Sequence, residues 1–117
     1  MECVILISST VSIAEQKHQI QQTLQILDGN RIMYRTVDCA DEGNKDARDV
    51  YFERSGIRAN YPQVFLVPGG DQYSAKYIGS FAEIQQLNEM SDVPKEILEA
   101  NNIPTLESVF VGVPRKS

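Results

Sequence analysis

Four hydroxyl side chains, Ser8, Ser9, Thr10 and Ser12, follow the first apolar strand of the sequence, in the stretch ILISSTVS. A serine nucleophile needs a positioned base, and the sole histidine, His18, lies away from the apolar stripe of the helix that follows. A phosphate cradle needs glycines and a lysine at fixed spacing, which this loop lacks. We therefore expect the hydroxyls to cap a helix, and we predict no catalytic residue among them.

Cys3 and Cys39 are the two thiols of the chain, and their spacing suits neither a metal site nor a disulfide framework. Cys3 begins the first predicted strand and Cys39 ends the second. Along the strand direction, Cys3 and Cys39 are expected to be about six residues apart, which at roughly 3.3 Å per residue is nearly 20 Å. A disulfide needs Cα atoms within about 7 Å. We predict two buried thiols without a bridge. Cys39, at the carboxyl end of a strand, is the alternative redox candidate.

The size and charge of the chain limit the classes of function it can have. Its 117 residues suit one domain, and a content of 42% hydrophobic and 23% charged residues is typical of a globular protein. A formal charge of −5 argues against nucleic-acid binding, since the only basic cluster is Pro114-Arg115-Lys116. The sequence contains no apolar run of about 20 residues and no recognisable signal peptide. We expect a cytoplasmic protein that binds neither nucleic acid nor membrane.

Periodicity and turn residues predict the order β-α-β-α-β-β-α followed by C-terminal helices. Ser12-x-x-Glu15 and Ser80-x-x-Glu83 have the capping-box pattern that begins a helix. Gly29 is expected to end the first helix in a left-handed conformation, and Gly56 is expected to end the second helix. The predicted strands span about 3–8, 32–38, 63–67 and 75–79; the helices span 12–28, 44–55, 80–90 and 94–100. For 105–113 a helix is favoured, although Val109-Phe110-Val111 would also suit a strand.

This order resembles the thioredoxin fold in its compact glutaredoxin form, and more closely the SH3-domain-binding glutamic-acid-rich-like proteins, a branch without the redox cysteine pair. The resemblance rests on short segments spread over about residues 3–90. These segments are Ser8-Ser9-Thr10-Val11, Ile26 to Ile32, Tyr34, Val37-Asp38, Pro62-Gln63-Val64 and Gly70-Asp71-Gln72-Tyr73. It implies a four-stranded mixed sheet flanked by helices, in a single glutaredoxin-like domain (1–117) whose core is about 3–90, with 91–117 as a helical extension.

The resemblance also implies where chemistry would occur. A thioredoxin-type redox site has a cysteine where the first strand meets the first helix, because the helix N-terminus stabilises the thiolate. Here that junction is Ser8 to Ser12, and a hydroxyl cannot form a disulfide. We therefore predict no oxidoreductase activity and no cofactor.

The resemblance to glutaredoxins also raises the possibility that the protein binds glutathione. Glutaredoxins hold it beside a cis-proline and at a helix N-terminus after the fourth strand, positions that correspond to Tyr61-Pro62 and Gly79-Ser80. Both features are also structural requirements of the fold, so they support the architecture more than the ligand. The sequence alone does not show whether Pro62 is cis.

We predict a non-catalytic interaction or regulatory module. Its expected binding surface, here called the edge site, comprises Ser8, Ser9, Thr10, Ser12, Tyr61, Pro62, Gly79 and Ser80. The family name implies SH3 binding, but no P-x-x-P occurs in the chain and 63–67 is predicted to be a covered strand, which argues against a direct SH3-ligand role. The protein partner and the oligomeric state are not determined by the sequence. The alternative is a glutathione-binding or thiol-redox protein that uses Cys39.

Overall fold

A computed structural model describes residues 1–116. The chain forms strands β1 (Glu2–Ile7), β2 (Arg35–Asp38), β3 (Gln63–Val67) and β4 (Lys76–Gly79). The helices are α1 (Ala14–Gly29), α2 (Lys45–Ser55), α3 (Phe81–Glu89), α4 (Lys95–Ala100) and α5 (Leu106–Val109), with short 3-10 turns between several of them. The predicted order of elements is confirmed, and the tail segment is a helix and not a strand.

The four strands form one mixed sheet in the order β2-β1-β3-β4. β1 pairs with β2 in parallel, with Ile7 opposite Asp38, because α1 carries the chain across the sheet between them. β3 pairs antiparallel with both β1 and β4. All five residues of β3 are buried, which confirms the prediction of a strand covered on both faces.

Alternate side chains of β1 enter two separate core clusters. Val4 and Leu6 pack into the cluster that contains Tyr51 and Phe52 of α2. Cys3 and Ile5 pack into the opposite cluster, to which α1, α3 and α5 contribute Leu27, Ile84 and Leu106, and to which Phe110, just after α5, also belongs. The period-2 geometry of a strand thus divides the interior into two layers of apolar side chains, one on each face of the sheet.

Three local predictions at the first helix and second strand are wrong. α1 begins at Ala14 after Ile13, without a side-chain cap, so Ser12 does not form a capping box with Glu15. The left-handed residue after this helix is Arg31, with φ of 58°, and not Gly29. β2 begins at Arg35 and not at Ile32, because Ile32 bridges to Arg115 in the C-terminal segment.

Other local predictions are confirmed. Gly56 follows the last residue of α2, as predicted, and the structure gives it a left-handed φ of 75°. Ser80 immediately precedes α3 as predicted, but its side chain makes no capping hydrogen bond, so the predicted capping box with Glu83 is wrong. In α5 the reciprocal capping box, which the sequence did not indicate, is formed by Thr105 and Ser108.

Candidate functional site

The carboxyl ends of β1 and β2 meet the start of β3 at one edge of the sheet. A shallow cleft of about 330 Å³ lies there. Its lining, here called the edge cleft, consists of Ser8, Thr10, Val11, Ser12, Ile13, Gln16, Cys39, Ala40, Ala59 and Tyr61. The structure therefore brings together Ser8, Thr10, Ser12 and Tyr61 of the predicted edge site with the alternative redox residue Cys39.

The remaining predicted site residues lie near this cleft without lining it. Pro62 is buried and the Tyr61–Pro62 peptide bond is cis. Gly79 pairs with Val64, so Gly79 and Ser80 lie at the same end of the sheet, beside the cleft. Ser9 is exposed, and its contribution is a backbone hydrogen bond described below. The residues predicted to form the edge site thus lie at the same end of the sheet, but only some of them line the cleft.

The hydroxyls of the loop are not explained by helix capping. Ser8 Oγ and Thr10 Oγ1 lie 3.3 Å apart, within hydrogen-bonding distance of each other. Because α1 lacks a side-chain cap, these hydroxyls remain available to a ligand in the edge cleft. His18 is exposed on α1 and does not line the cleft, so the hydroxyls have no histidine base there.

Asp38, at the end of β2, fixes the geometry of this edge, although it is absent from the predicted site residues. Its Oδ1 accepts the backbone N–H of Ser9 at 3.0 Å and that of Ala40 at 3.0 Å. Burial opposes ionisation of the carboxyl, but the N–H donors of Ala40 and Ser9 outweigh it and lower the pKa of Asp38. The sequence signal available for this role was an aspartate at a strand end, which is also a common turn residue.

Cys39 is only 5% exposed, and its Sγ lies 3.8 Å from the Val37 carbonyl oxygen. Burial raises the pKa of the Cys39 thiol to about 11, and the Tyr61 hydroxyl and Arg48 offset this effect only in part. Burial likewise raises the pKa of Tyr61 to about 12, helped by its proximity to Cys39. Both groups are therefore protonated at neutral pH.

Cys3 lies toward the other end of the sheet and is fully buried. In the parallel register of β1 and β2, Cys3 and Cys39 are five residues apart along the strand direction, which is about 16 Å at the usual rise per residue. Burial, and to a smaller extent Glu2, raises the pKa of the Cys3 thiol to about 12. Both cysteines are free, as predicted.

Residues 1–116 contain neither a group of metal-ligating side chains nor a helix suited to a membrane. In that part of the chain, no three His, Cys, Asp or Glu side chains are grouped so that they could bind a metal ion. Over the same residues, no helix has both the length and the apolar character that crossing a membrane requires.

A mixed four-stranded sheet in the order β2-β1-β3-β4, flanked by helices and with a cis-proline before β3, defines a thioredoxin-like protein. The predicted fold class is therefore confirmed. The family model of the SH3-binding, glutamic acid-rich protein matches residues 1–100, and the chain belongs to this family. No curated protein matches the chain.

Proposed function

We propose that this protein is a non-catalytic module that acts by binding other proteins through the edge cleft. The observation that carries the proposal is the junction of β1 and α1, where hydroxyl side chains stand and the nearest thiol, Cys39, is buried with a pKa of about 11. A thiol of that pKa at neutral pH is ionised in only about one molecule in ten thousand. Because the thiolate is the reactive species in disulfide exchange, the site is a poor place for redox chemistry.

The edge cleft has features that suit a binding surface. Its exposed rim carries Thr10, Ser12 and Ile13, and Ile13 is 57% exposed. An apolar side chain beside exposed hydroxyls resembles the composition of a protein-binding patch, in which apolar contact and hydrogen bonds are combined. Asp38 holds the loop at Ser9, so the rim is ordered before a partner arrives, which reduces the entropic cost of binding.

This chain has no P-x-x-P segment through which it could bind an SH3 domain. The family's description includes SH3 binding. In this chain the prolines, at 62, 68, 94, 104 and 114, are never three residues apart. The segment that begins at Pro62 is buried, and polyproline II recognition requires an extended, exposed ligand. We propose a folded surface as the binding element.

Two free thiols suit a reducing compartment, which supports a cytoplasmic location.

The second candidate function is binding of glutathione or thiol chemistry at Cys39. One observation favours it: Cys39 lines the edge cleft beside Tyr61, which precedes the cis-proline. A ligand that carries a thiol or disulfide could reach this sulfur if the cleft opened. The high pKa of the buried thiol weighs against it.

Two measurements on the full chain separate the candidates. Glutathione is titrated while backbone amide shifts are recorded, and reduction of hydroxyethyl disulfide is assayed with Cys39→Ser and, as a matched control, Cys3→Ser. We expect no saturable shifts and no turnover. Saturable shifts at the edge site, or turnover that Cys39→Ser abolishes and Cys3→Ser keeps, would overturn the non-catalytic proposal.

The binding proposal has its own test. Thr10→Arg places a long charged side chain on the rim of the edge cleft, and Thr36→Arg places the same change on the exposed face of β2. Partners captured from lysate by the wild-type chain should be retained by Thr36→Arg and lost with Thr10→Arg. Equal retention by both variants would contradict binding through the cleft.

A further inference from the structure

The C-terminal segment lies antiparallel against the residues that follow α1. The backbone N–H of Lys116 donates to the Arg31 carbonyl at 2.7 Å, and that of Met33 donates to the Pro114 carbonyl at 3.0 Å. Ile32 and Arg115 form the bridge between these two bonds. Basic residues from two distant parts of the sequence are thereby fixed next to one another.

A groove of about 450 Å³ opens beside this pairing. Its lining, here called the basic groove, consists of Asn30, Arg31, Ser91, Leu106, Glu107, Arg115 and Lys116. Three cations therefore face one carboxylate, in a chain whose formal net charge is −5. The groove is therefore positively charged, although the chain as a whole is negatively charged.

The two arginines of the groove are available to a ligand. Lys116 is already paired, because its Nζ lies 2.7 Å from Asp28 Oδ1. Within residues 1–116, neither Arg31 nor Arg115 takes part in an ion pair. A guanidinium presents several N–H donors in a planar fork that matches a carboxylate, so two unpaired arginines can hold two carboxylates.

Arg31 also occupies a backbone conformation that its residue type rarely adopts. Its φ is 58°, in the left-handed region where glycine or asparagine is usual. Next to it, Asn30 Nδ2 donates to the Ile26 carbonyl at 2.7 Å and to Asn88 Oδ1 at 3.1 Å. The groove is thus held in place on both sides of Arg31, and an arginine stands where a smaller residue would fit the backbone better.

We propose that the basic groove is a docking site for an acidic peptide segment of a partner protein. Charge complementarity selects the occupant: aspartate and glutamate side chains match the arginines, whereas nucleic acid needs a more extended basic surface than the three cations of this groove. The groove adjoins Arg31, before β2, and the edge cleft adjoins Cys39, after β2. The two sites lie at opposite ends of the sheet, so two different partner proteins could bind at the same time.

The test measures the anisotropy of a fluorescein-labelled oligoglutamate peptide titrated with the full chain at about 20 mM salt. The double variant Arg31→Asn, Arg115→Gln removes both charges, and asparagine suits the left-handed position. We expect its affinity to fall about tenfold or more. Arg58→Gln, an exposed arginine outside the groove, is the matched control and should bind as the wild type does.

Glu107→Gln is the complementary variant, because it removes the carboxylate that competes for the same cations. We expect it to bind the peptide about twofold or more tightly, a gain that loss of folding cannot imitate. Binding should weaken as salt rises to about 150 mM, and amide shifts should cluster at Asn30, Arg31, Ser91 and Arg115.

Four results would overturn the proposal. These are absence of binding at low salt, equal losses in the double variant and in Arg58→Gln, no gain with Glu107→Gln, and shifts confined to other surfaces. Inorganic phosphate is titrated in parallel. If it binds as tightly as the peptide and produces the same shifts, the groove is a site for a small anion and not for an acidic peptide.

Discussion

The backbone N–H of Ser9 donates to the Asp38 carboxylate at 3.0 Å, which ties the loop after β1 to the end of β2. The same Oδ1 accepts the N–H of Ala40, and the Asp38 carbonyl accepts the Asn44 side-chain amide at 3.0 Å. One residue therefore joins three segments of backbone at the end of the sheet where the edge cleft lies. Ser9 lies between Ser8 and Thr10, which line the cleft, so the bond to Asp38 fixes the loop that carries these hydroxyls.

Asp38→Ala should destabilise the protein by about 1–3 kcal/mol, because it leaves the Ser9 and Ala40 N–H groups without their acceptor. Asp38→Asn keeps an acceptor oxygen and should cost less. Urea unfolding of both variants measures the difference, and hydrogen exchange at the Ser9 amide should accelerate in Asp38→Ala. Unchanged exchange at Ser9 would show that the carboxylate does not hold the loop.

The buried thiols predict a loss of stability at alkaline pH. Burial raises the pKa of Cys39 to about 11 and that of Cys3 to about 12. The unfolded thiols ionise near about 8.5, so their contribution is complete below that pH and is lost as pH rises toward the folded values. The free energy of unfolding of the wild type should therefore fall more steeply between about pH 8 and 10 than that of Cys3→Ala, Cys39→Ala. Parallel slopes would refute the prediction.

Gly79→Ala should be strongly destabilising. A Cβ at Gly79 would lie 2.5 Å from the Glu83 Cβ, which cannot move without shifting α3, and Gly79 has φ of 155°. We expect a loss of about 2–4 kcal/mol in urea unfolding. Gly29→Ala is the matched control, since nothing lies within 4 Å of a Cβ there and the residue is helical. It should be neutral or stabilise by up to about 1 kcal/mol, and similar losses for both variants would contradict the steric argument.

The elements that could be predicted are those whose signals are local. β3 has a nearly continuous apolar sequence, and α2 ends before Gly56, the glycine predicted to end it. The errors arise where distant residues decide the backbone. Ile32 has strand-forming character, but its partner is Arg115, which no local pattern reveals. Similarly, Ser12 matches a capping box, yet the helix begins after Ile13.

The candidate site could be predicted in part for the same reason. Ser8 was predicted to follow the first strand and Cys39 to end its parallel neighbour; parallel strands end at one edge of a sheet, and both residues line the edge cleft. Gly79 and Ser80 do not line the cleft, because β4 lies on the far side of β3 from β1 and β2, a strand order that local sequence patterns do not reveal. The basic groove was missed because Arg31 lies far in sequence from Arg115 and Lys116.

The ion pair of Asp28 with Lys116 predicts a small effect at acid pH. The hydrogen bond from Lys116 lowers the pKa of Asp28; burial opposes this effect, and a hydrogen bond from Tyr34 adds to it. A depressed folded pKa gives stability that is present above the unfolded value of about 3.9 and is lost as pH falls through the folded value. Because the pair is exposed, Asp28→Asn should cost about 0.2–1 kcal/mol at pH 7 and nothing near pH 2. A cost that stayed constant across this range would exclude the ion pair as its source.

Phe110 lies beyond residues 1–100, the part of the chain that matches the family model, yet it is fully buried. It packs in the same cluster as Cys3 and Ile5 of β1, so the C-terminal segment completes a core on which the sheet depends. Phe110→Ala should cost about 3–5 kcal/mol, from lost apolar contact and the cavity left behind.

Its neighbour Val111 is 80% exposed, so Val111→Ala should change the free energy of unfolding by less than about 0.5 kcal/mol. The two variants remove apolar atoms at adjacent positions, and urea unfolding of both isolates the effect of burial. If the segment beyond residue 100 were an appendage, the two losses would be equally small and the amides of β1 would keep their hydrogen-exchange protection in Phe110→Ala. We expect that protection to fall with the global stability, since β1 lies at the centre of the sheet against this cluster.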